Sequence, residues 1–127
     1  MDLTPLVPAG RQIIESYGDL RFRVTGILHQ GSILVFPDRT EMWALNSIET
    51  IVDAHLESVC DAGLAGKVDL LLVGCGLRMT LIPKDLRATL RAAGVVVEAM
   101  DTGAACRTYN VLAAEGRRVA AALIAVE

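Results

Sequence analysis

The residues of this chain best suited to chemistry fall in two stretches. One is Gly74-Cys75-Gly76, directly after the apolar run VDLLLV. A Gly-x-Gly that follows a buried strand lets backbone amides close on a phosphate. Glu98 stands about twenty residues on, where dinucleotide-binding chains place a ribose-binding carboxylate. The remainder of that fingerprint is missing: the third glycine would fall at Met79, and the next helix signal waits until Pro83. A tight strand-to-helix turn that needs small residues is the simpler reading.

The other stretch is MDTGAACRTYN, Met100 to Asn110, a polar cluster between two very apolar segments. Asp101 and Thr102 stand where a helix begins. Cys106 would lie in its first turns, where the positive end of the helix dipole favours a thiolate; cysteines flanked by alanines are more often packed core. A helical wheel puts Ala105, Tyr109 and Leu112 on one face. Gly103, Arg107, Asn110 and Ala114 fall on the other. A helix N-terminus just after a buried strand lies at the strand's carboxyl end, where open α/β sheets bind ligands. The candidate ligand- or partner-binding residues are therefore Gly74, Cys75, Gly76, Asp101, Thr102, Arg107 and Asn110. Arg107 and Asn110 are expected to organise the loop beyond the strands, with the carboxylates of Glu98 and Asp101 or nearby carbonyls as partners for Arg107.

Other chemistry finds little support. Cys60, Cys75 and Cys106 are odd in number and free of CxxC pairing, which argues against a disulfide framework and reads as reduced thiols. With His29 and His55 they offer no four-ligand spacing, so no metal and no cofactor is expected. No GxSxG, HExxH or Walker pattern occurs, and nothing in the sequence asks for an enzyme. A net charge of −3 and a pI near 5.3, without a Lys/Arg cluster, disfavour nucleic acid as a partner.

These residues must be positioned by a chain of 127 residues, enough for one core that buries roughly two-thirds of its unfolded surface. Aromatics are scarce at 4%, so Leu, Ile, Val and Ala must build it. Residues 1–10 read as a loose arm and 11–127 as a single domain. The longest apolar run, VAAALIAV, is strand-sized, so no membrane span is expected, and the N-terminus lacks the basic region of a signal; a bacterial cytoplasm is the default. Leu20, Phe22 and Val24 alternate with Arg21 and Arg23, the period of a half-buried strand. HQGS, from His29 to Ser32, suits a hairpin turn, so the first third is expected to be antiparallel β. From Ser47 the apolar spacing turns helical through Val59, ending near Gly63. VDLLLV and VVVEAM then read as parallel, doubly buried strands. A helix opened by Pro83 and closed by Gly94 joins them. A helix over about 102–114 and a strand over about 117–126 complete a β-α-β-α-β order.

LLLVGCG, LRATLRAAGVVVEAMDTGAACRTYNVL and EGRRVAAAL closely resemble the Mth938-like family (DUF498), whose mitochondrial branch contains complex I assembly factor 3. So do the spaced motif from Tyr17 to Gly26, GSILV before Phe36-Pro37, and Trp43. Many members have threonine where this chain has Cys75. The resemblance implies an α/β fold of three layers: a mixed central sheet, an antiparallel N-terminal β portion, helices packed on the sheet, and one C-terminal strand antiparallel to the others. It also implies a non-enzymatic accessory or assembly factor that binds another protein, with respiratory complex I as the assembled target. The alternative is a small-molecule or nucleotide binder, even an enzyme, using the Gly-Cys-Gly edge. Peripheral membrane association and a homo-oligomer are both compatible with either reading.

Overall fold

The computed structural model describes residues 10–127. The arm read at 1–10 therefore lies, apart from Gly10, outside the described residues. Three short strands come first: β1 (Ile14–Gly18), β2 (Arg21–Val24) and β3 (Ile27–Gln30), paired antiparallel in that order. Two tight turns join them, with Asp19 and Leu20, then Thr25 and Gly26, at positive φ. That sign pattern matches the twist of the strands it connects. Phe22 and Val24 point inward and Arg21 and Arg23 outward, as the alternation requires. Leu20 does not follow the alternation; the turn leaves it 47% exposed.

HQGS is not a hairpin. β3 ends at Gln30, and β4 (Ile33–Val35) leaves the small sheet to join a five-stranded one. Ser32 anchors this step. Its carbonyl accepts the Trp43 amide at 2.9 Å, and its buried hydroxyl accepts the Ala125 amide at 3.0 Å. The new partners of Ser32 lie in the other sheet, so the chain crosses over here and does not fold back.

The second sheet has the order β5 (Thr40–Met42), β4, β8 (Val119–Leu123), β6 (Leu70–Gly74), β7 (Val96–Met100). β6 runs parallel to both β7 and β8, as expected for VDLLLV and VVVEAM, but β7 is not buried on both faces: it is the edge strand, and Val96 and Glu98 are exposed on it. The antiparallel partner is not the C-terminal strand that the resemblance implied. β8 is parallel to β6 and antiparallel to β4, because helix α3 (Thr102–Ala114) carries the chain back along the sheet before β8 begins. Helix α2 (Lys84–Ala92) does the same between β6 and β7, closing at Gly94 with φ of 83°.

The helical spacing after Ser47 resolves into three pieces: 3₁₀ turns at Ile48–Thr50 and Asp53–Leu56, then helix α1 (Glu57–Leu64). Ser47 caps the first, its hydroxyl accepting the Glu49 amide. The break follows from extended backbone at Ile51 and Val52, which gives the Val52 amide to His55 Nδ1 at 2.9 Å. Ile48, Ile51, Leu56 and Val59 are buried all the same.

The central strands read as unbroken apolar runs because both of their faces are covered. Leu71, Val73, Ala120 and Ala122 pack on the α1 and α2 side with Leu56, Leu86 and Leu90. Leu72, Val119, Ala121 and Leu123 pack on the other side, against α3 and the small sheet through Ala105, Tyr109, Ile14 and Phe22. Three layers result, with α3 and the small sheet sharing one outer layer.

Candidate functional site

β6 and β7 are adjacent and parallel, so Gly74 and Met100 end in register and the two loops that follow emerge side by side. There the backbone closes on itself. The Cys75 amide donates to the Met100 carbonyl at 2.8 Å, and the Thr102 amide to the Gly76 carbonyl at 2.8 Å. The Thr102 hydroxyl, fully buried, accepts the Gly76 amide at 3.0 Å and donates to the Ile124 carbonyl at 2.7 Å. Ile124 returns its amide to the Gly74 carbonyl at 2.9 Å. One threonine hydroxyl thus ties the ends of three strands together.

The glycine at 74 is needed for this approach. A β-carbon there would sit 2.9 Å from the Thr102 Cα and 3.0 Å from a Leu123 methyl, closer than real side chains come. The first turn of α3 is equally occupied. Asp101 is its N-cap, with a carboxylate oxygen accepting the Ala104 amide at 2.9 Å, and its carbonyl accepts the Ala105 amide. The amides of Cys75, Gly76, Thr102 and Ala104 are therefore already engaged by the protein. An anion would have to displace those bonds.

Cys75 is buried. Its thiol lies near the carbonyls of Val73 and Thr80, and burial raises its pKa, the Thr80 contact partly opposing this. Cys106 faces the core between α3 and the central sheet, and burial pushes its thiol up to about 12, with Arg107 pulling slightly the other way. The helix dipole does not produce a nucleophile here, because the thiol is wholly buried and desolvation dominates.

Asn110 does not join this edge, and Arg107 reaches only its margin, where a β-carbon at Gly103 would lie 3.3 Å from its Nη1. They sit on α3 where it faces the small sheet. Asn110, which the wheel placed on the wet face, is only 5% exposed. Its side-chain oxygen accepts the Ile14 amide at 3.0 Å, and its Nδ2 donates to the Ile14 carbonyl at 2.8 Å, so the amide pairs with β1 as a neighbouring strand would. Arg107 is exposed, and its Nη1 donates to the Tyr17 hydroxyl at 3.3 Å. The tyrosine ring packs against Gly103, where a β-carbon would meet the hydroxyl at 2.5 Å. Neighbouring Tyr109 is fully buried, its hydroxyl pointing at the carbonyls of Gln12 and Phe36; desolvation raises its pKa, with Arg11 partly opposing. The seven candidates thus divide into two structural seams: Gly74, Cys75, Gly76, Asp101 and Thr102 lock the strand ends, and Arg107 and Asn110 fasten α3 to β1.

What the residue types did not single out lies next door. Leu77, Met79 and Leu81 are 81%, 55% and 78% exposed on the segment between Gly76 and α2. Only the following Ile82 turns into the core. The available signal was apolar residues at alternate positions of a segment with neither helix nor strand around it. Among the described residues no group of His, Cys, Asp and Glu could hold a metal, and no helix is long and apolar enough to cross a membrane.

The profile of a family described as a protein of unknown function (DUF498/DUF598) matches residues 14–124. The chain belongs to this family. An uncharacterized protein of Rhodobacter capsulatus is 40% identical over 116 residues, covering 91% of this chain and 86% of that protein. NADH dehydrogenase [ubiquinone] 1 alpha subcomplex assembly factor 3 of Xenopus tropicalis is 35% identical over 112 residues, covering 87% of this chain. The chain spans 60% of that assembly factor's length, and 59% of the human one, with which it is 30% identical. Solved structures of similar sequence share the fold. The crystal structure of a protein from Bartonella henselae described as an outer membrane protein superposes with a TM-score of 0.86 at 34% identity, covering 96% of this chain and 100% of that one. The solution structure of a Mth938-like domain from Bordetella pertussis gives 0.81 at 31% identity, covering 100% and 95%. The Mth938-like α/β architecture is thus the fold of this protein.

Proposed function

We propose that this DUF498 protein is a non-enzymatic accessory factor that acts by binding another protein, and that its target is assembly of a respiratory complex of the NADH dehydrogenase class. The assembly-factor relatives supply the class of process. The observation that carries a binding role is the row of Leu77, Met79 and Leu81, three large apolar side chains in solvent beside a strand edge whose own polar groups are engaged. Scattered single apolar residues on a surface need no explanation, whereas three within five residues form a patch of the kind partners cover. The partner face is read as cytoplasmic, with peripheral contact at the membrane where such complexes are built. The alternative, a nucleotide or small-molecule site on the Gly74–Gly76 edge, has fewer free donors to work with, since Thr102, Met100 and Asp101 hold the nearest amides.

The test is a deletion strain of a source organism that possesses the complex, complemented with wild-type protein or with Leu77→Asp, Met79→Asp and Leu81→Asp combined. The deletion is expected to lower assembled complex on native gels, wild type to restore it, and the triple variant to fail while keeping its urea midpoint. Normal complex content in the deletion strain overturns the assembly role. Full rescue by the triple variant overturns the assignment to this loop.

A further inference from the structure

At the opposite end of the central sheet from the apolar loop, a cleft of about 260 Å³ opens where β4 ends and where the chain enters β6 and β8. Four of the residues lining it are cations: Arg11, Arg39, Lys67 and Arg118. Among the described residues its lining holds one carboxylate, Asp38. Its floor is apolar, because Phe36, Ala62 and Val68 are buried core residues that show one face to the cleft.

The charges in this cleft are not all matched. Arg39 pairs with Asp38 at 3.2 Å and with Glu41 at 2.8 Å, and its guanidinium lies 4.1 Å over the Phe36 ring. Arg118 pairs with Asp69 at 3.2 Å. Arg11 is held differently. Its two terminal nitrogens donate to the carbonyls of Arg117 at 2.6 Å and Gly116 at 3.0 Å, neutral groups that fix its position without cancelling its charge. Lys67 forms no ion pair among the described residues, even with Asp61, which lines an adjoining recess beside it. Two cations without a carboxylate partner among the described residues therefore share an apolar-floored cleft, in a chain whose net charge is −3.

We infer that this cleft binds a small organic anion, a single carboxylate or phosphate group on a short apolar body, with the head between Arg11 and Lys67 and the body on Phe36 and Val68. Rigid, carbonyl-pinned Arg11 supplies a fork that an oxyanion matches, and Lys67 adds a mobile point charge. The size limits the ligand. At about 260 Å³ the cleft falls below the roughly 300–1,000 Å³ of drug-sized sites, which suits a body of one ring. This site is separate from the Leu77–Leu81 loop, so the two assignments stand or fall independently.

The experiment is a titration of the isotope-labelled full chain with benzoate, and separately with inorganic phosphate, followed by amide shifts at constant ionic strength. Benzoate is expected to move the amides of Phe36, Lys67, Val68 and Arg118 in a saturable way. Lys67→Met is expected to weaken it about three- to tenfold, as loss of one partly screened charged contact implies, and Lys84→Met on the distant face of α2 to leave it unchanged. Arg11→Met is expected to weaken it as well. Should that variant lose its fold, the exposed Lys67 still decides the matter. Shifts that grow linearly without saturation overturn the site. Equal weakening by Lys67→Met and Lys84→Met overturns it in favour of diffuse charge. Saturable phosphate binding without benzoate binding overturns the role of the apolar floor.

Discussion

Residues 74–76 and 77–81 are consecutive, yet the fold treats them oppositely. In the first segment the polar groups are turned inward and satisfied: the amides of Cys75 and Gly76 reach Met100 and Thr102, and a buried hydroxyl bridges three strand ends. In the second, Leu77, Met79 and Leu81 are turned outward and exposed. A Gly-x-Gly looks like a site and a leucine looks like core. Here the glycines are structural, Gly74 for its backbone contact with Thr102 and Gly76 for its φ of 105°, and the apolar residues are the exposed surface. The difference teaches that a site should be sought where physical groups remain unsatisfied, whatever their residue types suggest.

The sharpest way to break the closed segment is Thr102→Val. It keeps the shape of the side chain but leaves the Gly76 amide and the Ile124 carbonyl without their partner. A loss of about 2–5 kcal/mol is expected, measured by urea denaturation, with Thr102→Ser recovering most of it. A midpoint unchanged in Thr102→Val would mean that water reaches these groups and that the edge is open after all.

Asn110→Ala tests the second seam, where two backbone groups of Ile14 lose their partner; about 2–4 kcal/mol is expected. Gly74→Ala follows at about 1–3 kcal/mol, since the new methyl meets backbone at Thr102 that cannot move aside easily.

The pH dependence is smaller near neutrality and appears on the alkaline side. The Cys106 thiol sits at about 12 in the folded protein against an ordinary 9.0, so the unfolded chain releases this proton first. The stability it contributes is complete below about pH 9 and is lost as pH rises from there toward 12. At pH 10 the loss is about 1.4 kcal/mol, and Cys106→Ala is expected to flatten the slope of the urea midpoint between pH 8 and about 10. An unchanged slope would show that Cys106 ionises alike in both states. Smallest of all is the exposed loop. Leu77→Asp, Met79→Asp and Leu81→Asp are each expected to shift stability by less than about 0.5 kcal/mol, and Arg107→Ala by no more than an exposed contact allows. A larger loss in any of the loop variants would place that side chain in the core and remove it from the proposed partner surface.

By itself the sequence determined the elements whose burial follows a local period. The run at 70–74 is apolar throughout because a strand buried on both faces demands it, whereas the run at 96–100 carries Glu98 and an exposed Val96 because its strand lies at the sheet edge; the parallel pairing of the two follows from the helix between them. The span of α3 was legible as about 102–114, and family motifs carried the fold as a whole. Only the tertiary structure decided where polar groups went. Asn110 turns inward because Ile14, 96 positions away, presents an amide and a carbonyl to it, and no wheel drawn on α3 contains β1. Thr102 is buried because Gly76 and Ile124 converge on its hydroxyl from two other strands. The helical spacing after Ser47 broke into 3₁₀ turns for a related reason: periodicity marks which side chains are buried, and the backbone that buries them is chosen by what they pack against. Hydrophobic patterning is local and survives in one dimension. Hydrogen-bond partners are brought together only by the fold, and so are the vacancies among them that make a surface functional.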